Sequence, residues 1–150
     1  MKKLILSILA IFVLFACSSD DNGSANNGGN DIFITFKVDG TTYNMEPYTA
    51  ASLQIEIGAN QGMDANHRAI SLLMPIDYTP GSHPITDSWD EDAYTASFTI
   101  GDKTADAISG TLVITAISSN FIEGTFYFTA EDWEGTTYNI TDGSFRAYKL

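Results

Sequence analysis

The stretch Ile32-Phe33-Ile34-Thr35-Phe36-Lys37-Val38-Asp39-Gly40-Thr41-Thr42-Tyr43-Asn44-Met45 decides the fold. Strand side chains alternate between two faces, so Ile32, Ile34, Phe36 and Val38 share one face while Thr35 and Lys37 take the other. Asp39-Gly40 then separates this run from a second one, Thr41 to Met45. A two-residue hairpin turn needs positive φ at both central positions, which Asp and Gly tolerate. The stretch therefore reads as a β-hairpin.

The same alternation recurs down the chain. Leu53, Ile55 and Ile57 alternate with Ser52, Gln54 and Glu56, and Tyr94, Ala96, Phe98 and Ile100 with Thr95, Ser97 and Thr99. Leu112 and Ile114 are flanked by Thr111 and Thr115, and Phe126 and Phe128 by Thr125 and Thr129. With residues 70–74 and 138–148 the count reaches about eight strands. One wet and one apolar face per strand is the pattern of antiparallel sheets, and no window carries a helical period. The expected fold is all-β, an antiparallel β-sandwich or flattened β-barrel of about eight strands. Large inward residues such as Phe98, Phe126 and Phe128 favour a filled interior.

Between the strands, Thr79-Pro80-Gly81-Ser82 places Pro and Gly where a type II turn wants them. Residues 58–66 and 101–107 read as polar loops. Gly110-Thr111-Leu112-Val113-Ile114-Thr115-Ala116 is echoed by Gly124-Thr125-Phe126-Tyr127-Phe128-Thr129-Ala130 across a loop at Ser118-Ser119-Asn120. The two segments read as one hairpin, with Gly124 marking a bulge or a close backbone approach.

The amino-terminal region sets location. Lys2 and Lys3 precede an apolar run from Leu4 to Ala16, the layout of a secretory signal. That run is too short to cross a bilayer, which takes about 20 residues. Leu14-Phe15-Ala16-Cys17 resembles the lipobox of a bacterial lipoprotein, and Cys17 is the only cysteine. The resemblance implies that residues 1–16 are cleaved and that Cys17 carries a diacylglyceryl group and an acylated amine, the palmitate-type anchor of such proteins. Several chains on one residue hold a protein stably, where one chain would not. Ser18-Ser19-Asp20-Asp21 resembles the signal that sends Bacteroidota lipoproteins to the outer face of the outer membrane; a periplasm-facing anchor is the alternative. Residues 17–30 have nothing to bury after the cysteine and read as a flexible tether spanning about 20 Å. Residues 31–150 form one domain.

Removing Lys2 and Lys3 from the full chain's 7 basic and 19 acidic residues leaves 5 against 19, a formal charge of −14. Nucleic acid is excluded as a partner, because binding it takes clustered Lys and Arg. The expected partners are the membrane, through the lipid anchor, and an extracellular glycan or envelope protein. With Cys17 modified no disulfide forms, so stability falls to the apolar core. Phe36-Lys37-Val38-Asp39-Gly40 with Tyr43, Gly124-Thr125-Phe126-Tyr127-Phe128 and Thr141-Asp142-Gly143-Ser144-Phe145 together resemble a family of small Bacteroidota lipoproteins of unknown function. The resemblance implies an envelope location and an all-β fold, and brings no catalytic residues.

Two loops stand out as binding candidates: Asp87-Ser88-Trp89-Asp90-Glu91-Asp92 and Glu131-Asp132-Trp133-Glu134-Gly135. Trp89 and Trp133 offer rigid apolar faces for a sugar ring, and Asp90, Asp92, Glu131 and Asp132 offer acceptors for its hydroxyls. The competing reading, which composition favours, has each indole covering an open end of the core, since Trp is mostly buried in folded proteins. The same acids could supply oxygens to Ca²⁺, but neither cluster has EF-hand spacing. His67 and His83 are isolated, so no metal site is expected, nor any cofactor. No nucleophile elbow or free thiol is present and no catalytic residue is assigned. Asn139-Ile140-Thr141 matches a glycosylation sequon but reads as strand. The expected role is a non-enzymatic, envelope-tethered binding or accessory protein. A purely structural envelope lipoprotein comes second, and a small hydrolase using acidic residues third.

Overall fold

The computed structural model describes residues 32–150. The expected signal segment, Cys17 and the expected tether fall outside the described residues. Ten strands follow in chain order: β1 (Phe33–Val38), β2 (Thr41–Met45), β3 (Tyr48–Ala51), β4 (Ile55–Gln61), β5 (Arg68–Met74), β6 (Gly81–Ile85), β7 (Thr95–Ile100), β8 (Lys103–Ile117), β9 (Phe121–Asp132) and β10 (Thr137–Tyr148). A 3-10 turn at Asp64–Asn66 is the only helical element among the described residues.

All ten strands belong to one antiparallel sheet, ordered β2-β1-β10-β9-β8-β7-β5-β4-β3 with β6 beside β8. Register reduces the ten to eight staves, because two pairs of strands are each one broken stave. β2 and β3 run on in one direction, the first pairing with β1 and the second with β4. Glu46-Pro47 makes the break, since proline fixes φ and has no N–H to give a ladder. β6 and β7 likewise lie in line along β8, Ile85 facing Gly110 and Ser97 facing Asp106. Each stave then neighbours the next in sequence, and β1 pairs with β10. The 41–51 stave spans both edges of the sheet, so the chain itself brings them together in a nearly closed up-and-down barrel. Thr49 Oγ1 donates to the Tyr148 carbonyl at 2.6 Å, tying β3 to β10 across this seam.

The curvature has a sequence cause. Gly110 faces Phe128, Gly124 faces Phe145 and Gly143 faces Phe126 on adjacent strands. A Cβ built on any of the three would lie 2.4–2.5 Å from a backbone carbonyl oxygen and 2.5–2.6 Å from the facing phenylalanine's side chain. Such glycines let a strand coil tightly while the opposite ring covers the gap. Register shifts at Ile114/Ala116 and Ile140/Gly143 add bulges beside two of these positions. The Asp39-Gly40 turn has both φ values positive, 48° and 85°, as the hairpin reading requires.

Inside, Phe36, Phe98, Phe126, Phe128 and Phe145 are buried with Ile34, Ile57, Leu72 and Ile122. Rings touch around Phe98, with Phe36 at 6.1 Å, Tyr43 at 6.3 Å and Tyr138 at 5.9 Å between centroids. Small residues complete the fit: Ala105 faces Phe98 and Ala59 faces Ile70. The outer wall carries Lys37, Glu56, Ser71, Thr99 and Thr125. A polar exterior around an apolar filling is the inverse of a membrane-spanning barrel.

The all-β antiparallel fold is the expected one, and of the two architectures left open the barrel is the one formed. Some expected boundaries are corrected. Leu53 lies in the β3–β4 turn and is exposed, because its strand begins only at Ile55. Residues 58–61 belong to β4 and residues 103–107 open β8; their inward positions, Ala59, Ala105 and Ala107, are buried yet too small to register as an apolar pattern.

The barrel has two ends. The near end holds residue 32, the turns at 52–54, 75–80 and 118–120, and Leu150; the far end holds the turns at 39–40, 62–67, 101–102 and 133–136.

Candidate functional site

The break in the β6–β7 stave builds the most developed surface feature. Residues 86–94 leave the strand line after Ile85 and return at Thr95, and Ile85 bridges Tyr94 at the base. The Thr86 N–H donates to the Tyr94 carbonyl at 3.0 Å, closing the neck. Gln54 Nε2 donates to the Ala93 carbonyl at 2.9 Å, and the Ala93 N–H to the Asp90 carbonyl at 3.0 Å. His83 stacks on Tyr94 with centroids 4.1 Å apart, while its Nε2 meets the Thr79 carbonyl at 2.8 Å. The loop is thus pinned at neck and shoulder.

Against its inner side lies a cleft of about 120 Å³, lined by residues 86–89, Gln54, Leu73, residues 95–97, Asp106 and Ala107. Leu73 supplies an apolar floor, and Asp87, Ser88, Ser97 and Asp106 supply polar walls. Trp89 stands at the cleft with 93 % of its surface exposed. Asp90 and Asp92 are exposed on the loop's outer side, and Ser88 Oγ donates to Asp90 Oδ2 at 3.0 Å.

Trp133 occupies the β9–β10 turn at the far end, 83 % exposed. Neither indole covers the core, contrary to the reading that composition favours. The acids beside Trp133 divide by strand parity. Glu131 points outward, whereas Asp132 is buried and its Oδ1 accepts the N–H of Glu134 at 3.0 Å and of Thr136 at 2.9 Å. Tyr138 donates to Asp132 Oδ2 at 3.4 Å. Burial pushes the Asp132 pKa up, but those N–H donors and the Lys103 charge outweigh it and hold the group below the usual carboxylate value. Asp132 is therefore a turn-former whose oxygens are engaged by the protein. Lys103 pairs with Glu134 on the same turn, and that hydrogen bond raises the Lys103 pKa.

One cross-strand row joins the two regions: Ser97 on β7, Asp106 on β8, Glu131 on β9 and Thr137 on β10. Asp106 and Glu131 are directly opposed like charges, which costs stability unless donors from outside meet them. Asp106 and Ser97 are cleft residues that sequence reading passed over, and Asp87 joins them from the loop it singled out; the alternation of Ala105-Asp106-Ala107 is the signal that places Asp106 outward. His67 belongs to the far-end turns. Among the described residues no three His, Cys, Asp or Glu side chains gather to hold a metal ion.

Fold and site define a small meander barrel of eight staves, filled with aromatic side chains, that displays an indole-bearing loop on its wall. Residues 30–148 match the family described as Domain of unknown function (DUF6252), and the chain belongs to that family. No curated protein and no solved structure matches the chain significantly.

Proposed function

We propose that this protein is a lipid-anchored cell-envelope binding protein of the Bacteroidota surface type, without catalytic activity, that takes an extracellular glycan at the Trp89 cleft. Its carrying observation is an indole almost wholly in solvent beside a cleft with an apolar floor and hydroxyl and carboxylate walls. A rigid aromatic face stacks on the C–H face of a sugar ring, while carboxylates and hydroxyls accept and donate to its hydroxyl groups. Glu131 and Trp133 extend the contact along the Asp106 row for a longer chain. The lipobox resemblance at Cys17 supports a membrane anchor, and the resemblance of Ser18-Ser19-Asp20-Asp21 to an export signal supports the exterior face of the outer membrane.

Glycan-array screening of the chain from Cys17, followed by calorimetry on the best ligand, tests the reading. Trp89→Ala is expected to weaken binding about tenfold, the worth of one good aromatic contact. Because the ring is exposed, the variant should melt with the wild type. A glycan that binds Trp89→Ala and Trp133→Ala as tightly as wild type would refute the assignment.

A further inference from the structure

The near end of the barrel gathers more exposed large apolar side chains than the far end, which shows Met63 and Trp133. Leu53 is 66 % exposed, Ile76 60 % and Leu150 67 %, and Phe33 and Tyr148 are also among the exposed large hydrophobic residues. Register and connectivity place all five at this end: Phe33 faces Arg146, Tyr148 faces Phe121, Leu53 lies in the β3–β4 turn, Ile76 in the β5–β6 turn, and Leu150 just after β10. Ile76, Tyr78, Ile117 and Leu150 line one shallow cleft of about 280 Å³ here. Contiguous exposed apolar surface of this kind marks a contact face.

Two further observations say what covers it. The described chain begins at this end, with Ile32 fifteen positions after Cys17. The residues between are Ser, Asp, Asn, Gly and one Ala up to Asn30, so they have no apolar side chains to lay on the face. Charge is also segregated. Arg146 and Lys149 belong to the near end, where Glu123 is paired with Arg146 at 3.3 Å and Asp77 adds one more acid. The far end carries Asp39, Asp64, Asp102 and Glu134 against Arg68 and Lys103, a net excess of acid where the near end is balanced. The least acidic end is therefore the one from which the anchor departs.

We infer that the near end is a membrane-seating face, with Leu53, Ile76 and Leu150 entering the headgroup layer of the bilayer that holds Cys17. The inference rests on the reading of Cys17 as the anchored residue. A lipid attached within about 20 Å of chain makes contact effectively intramolecular, so a few apolar side chains suffice where they would not hold a free protein. Seated this way, the barrel stands on end and lifts the far turns with Trp133 off the lipid, leaving the Trp89 cleft on the side wall.

The test separates seating from native lipidation. The chain from Cys17 is coupled through its single thiol to a maleimide lipid in phosphatidylcholine vesicles with brominated acyl chains. Ile76→Trp and Leu53→Trp are each introduced in a Trp89→Phe, Trp133→Phe background, with circular dichroism checking the fold. We expect about twofold or greater quenching of each introduced indole, because interfacial residues sit roughly 5–10 Å deep. Trp133, kept alone by Trp89→Phe, should stay unquenched, and Ile76→Glu with Leu150→Glu should abolish quenching at position 53. No quenching at 53 and 76, or equal quenching at 53, 76 and 133, overturns the inference. So does a dimer in sedimentation that Ile76→Glu dissolves, since a second copy would then own the face. Metabolic labelling of Cys17 with an alkyne fatty acid reads the anchor separately.

Discussion

Gly124→Ala tests how this barrel closes. Gly124 has no positive φ, so an alanine there would ordinarily stabilise by about 0.4–1 kcal/mol through the unfolded chain. Space decides otherwise. The new methyl would lie 2.4 Å from the Val113 carbonyl oxygen and 2.6 Å from the Phe145 ring. Ordinary contact begins near 3.4 Å, so each neighbour must give by close to 1 Å. Val113 is locked in the β8–β9 ladder opposite Thr125, and Phe145 is buried. Because both neighbours are fixed, overpacking here falls in the upper part of its usual range, about 2–3 kcal/mol, which leaves a net loss of about 1–2.5 kcal/mol after the entropic gain. For a domain of this size each kcal/mol lowers Tm by about 4 °C, so thermal denaturation followed by circular dichroism should show a fall of about 4–10 °C. Phe145→Leu removes part of the obstacle. In that background Gly124→Ala should cost at least about 0.5 kcal/mol less, a coupling that a double-mutant cycle reads directly. A Gly124→Ala melt equal to or above wild type, or strict additivity with Phe145→Leu, would show that the glycine–phenylalanine pairing does not set the curvature.

Two further outcomes bear on the interior and the Trp133 turn. Phe98→Ala empties the centre of the aromatic cluster and should cost about 3–5 kcal/mol in urea titration; a loss below about 1 kcal/mol would mean the interior collapses freely. Asp132 is held below its ordinary pKa of 3.8 when folded, so the unfolded chain binds its proton more readily. The stability it contributes is fully present above that value and is lost as pH falls through the lower folded pKa. Melting from about pH 5 down to about pH 2.5 should therefore fall less steeply in Asp132→Asn than in wild type, and identical slopes would exclude this role.

Much of the fold is legible from two signals. Period-two alternation marks β1, β2, β4, β5 and β7 to β10, and Asp39-Gly40 fixes the first hairpin through its two positive φ values. The sequence count of about eight matches the eight staves. What stays hidden is hidden for physical reasons. β3 is short and mostly exposed, so it has no inward face to show as a pattern. β6, with Gly81, Ser82, His83 and Pro84, reads as turn chemistry and becomes strand only because the outer half of β8 offers it an edge. The start of β8 looks like loop because its inward positions are alanines, small where Phe98 opposite is large. Composition can also mislead at the site. Glu131-Asp132-Trp133 looks like one acidic cluster, yet parity sends Asp132 inward to hold the turn and leaves Glu131 and Trp133 outside.

The broken staves explain why the candidate surface lies where it does. A closed barrel has no free edge, so a binding loop must either cap an end or interrupt a wall. β2–β3 is interrupted by two residues, Glu46 and Pro47, and the break serves only to pass the stave from one neighbour to the other. β6–β7 is interrupted by nine, residues 86–94, although both halves stay in line on β8. The barrel's closure does not need residues 87–93, since Ile85 bridges Tyr94 and the Thr86 N–H meets the Tyr94 carbonyl at their base. They nevertheless carry an indole in open solvent and four exposed acids, Asp87, Asp90, Glu91 and Asp92, over a cleft that the wall itself floors. A segment that closure does not use, pinned by Gln54 and capped by an exposed tryptophan, is what the proposed glycan site rests on. The wall of the fifth stave, and not the end of the barrel, is the place to look for one.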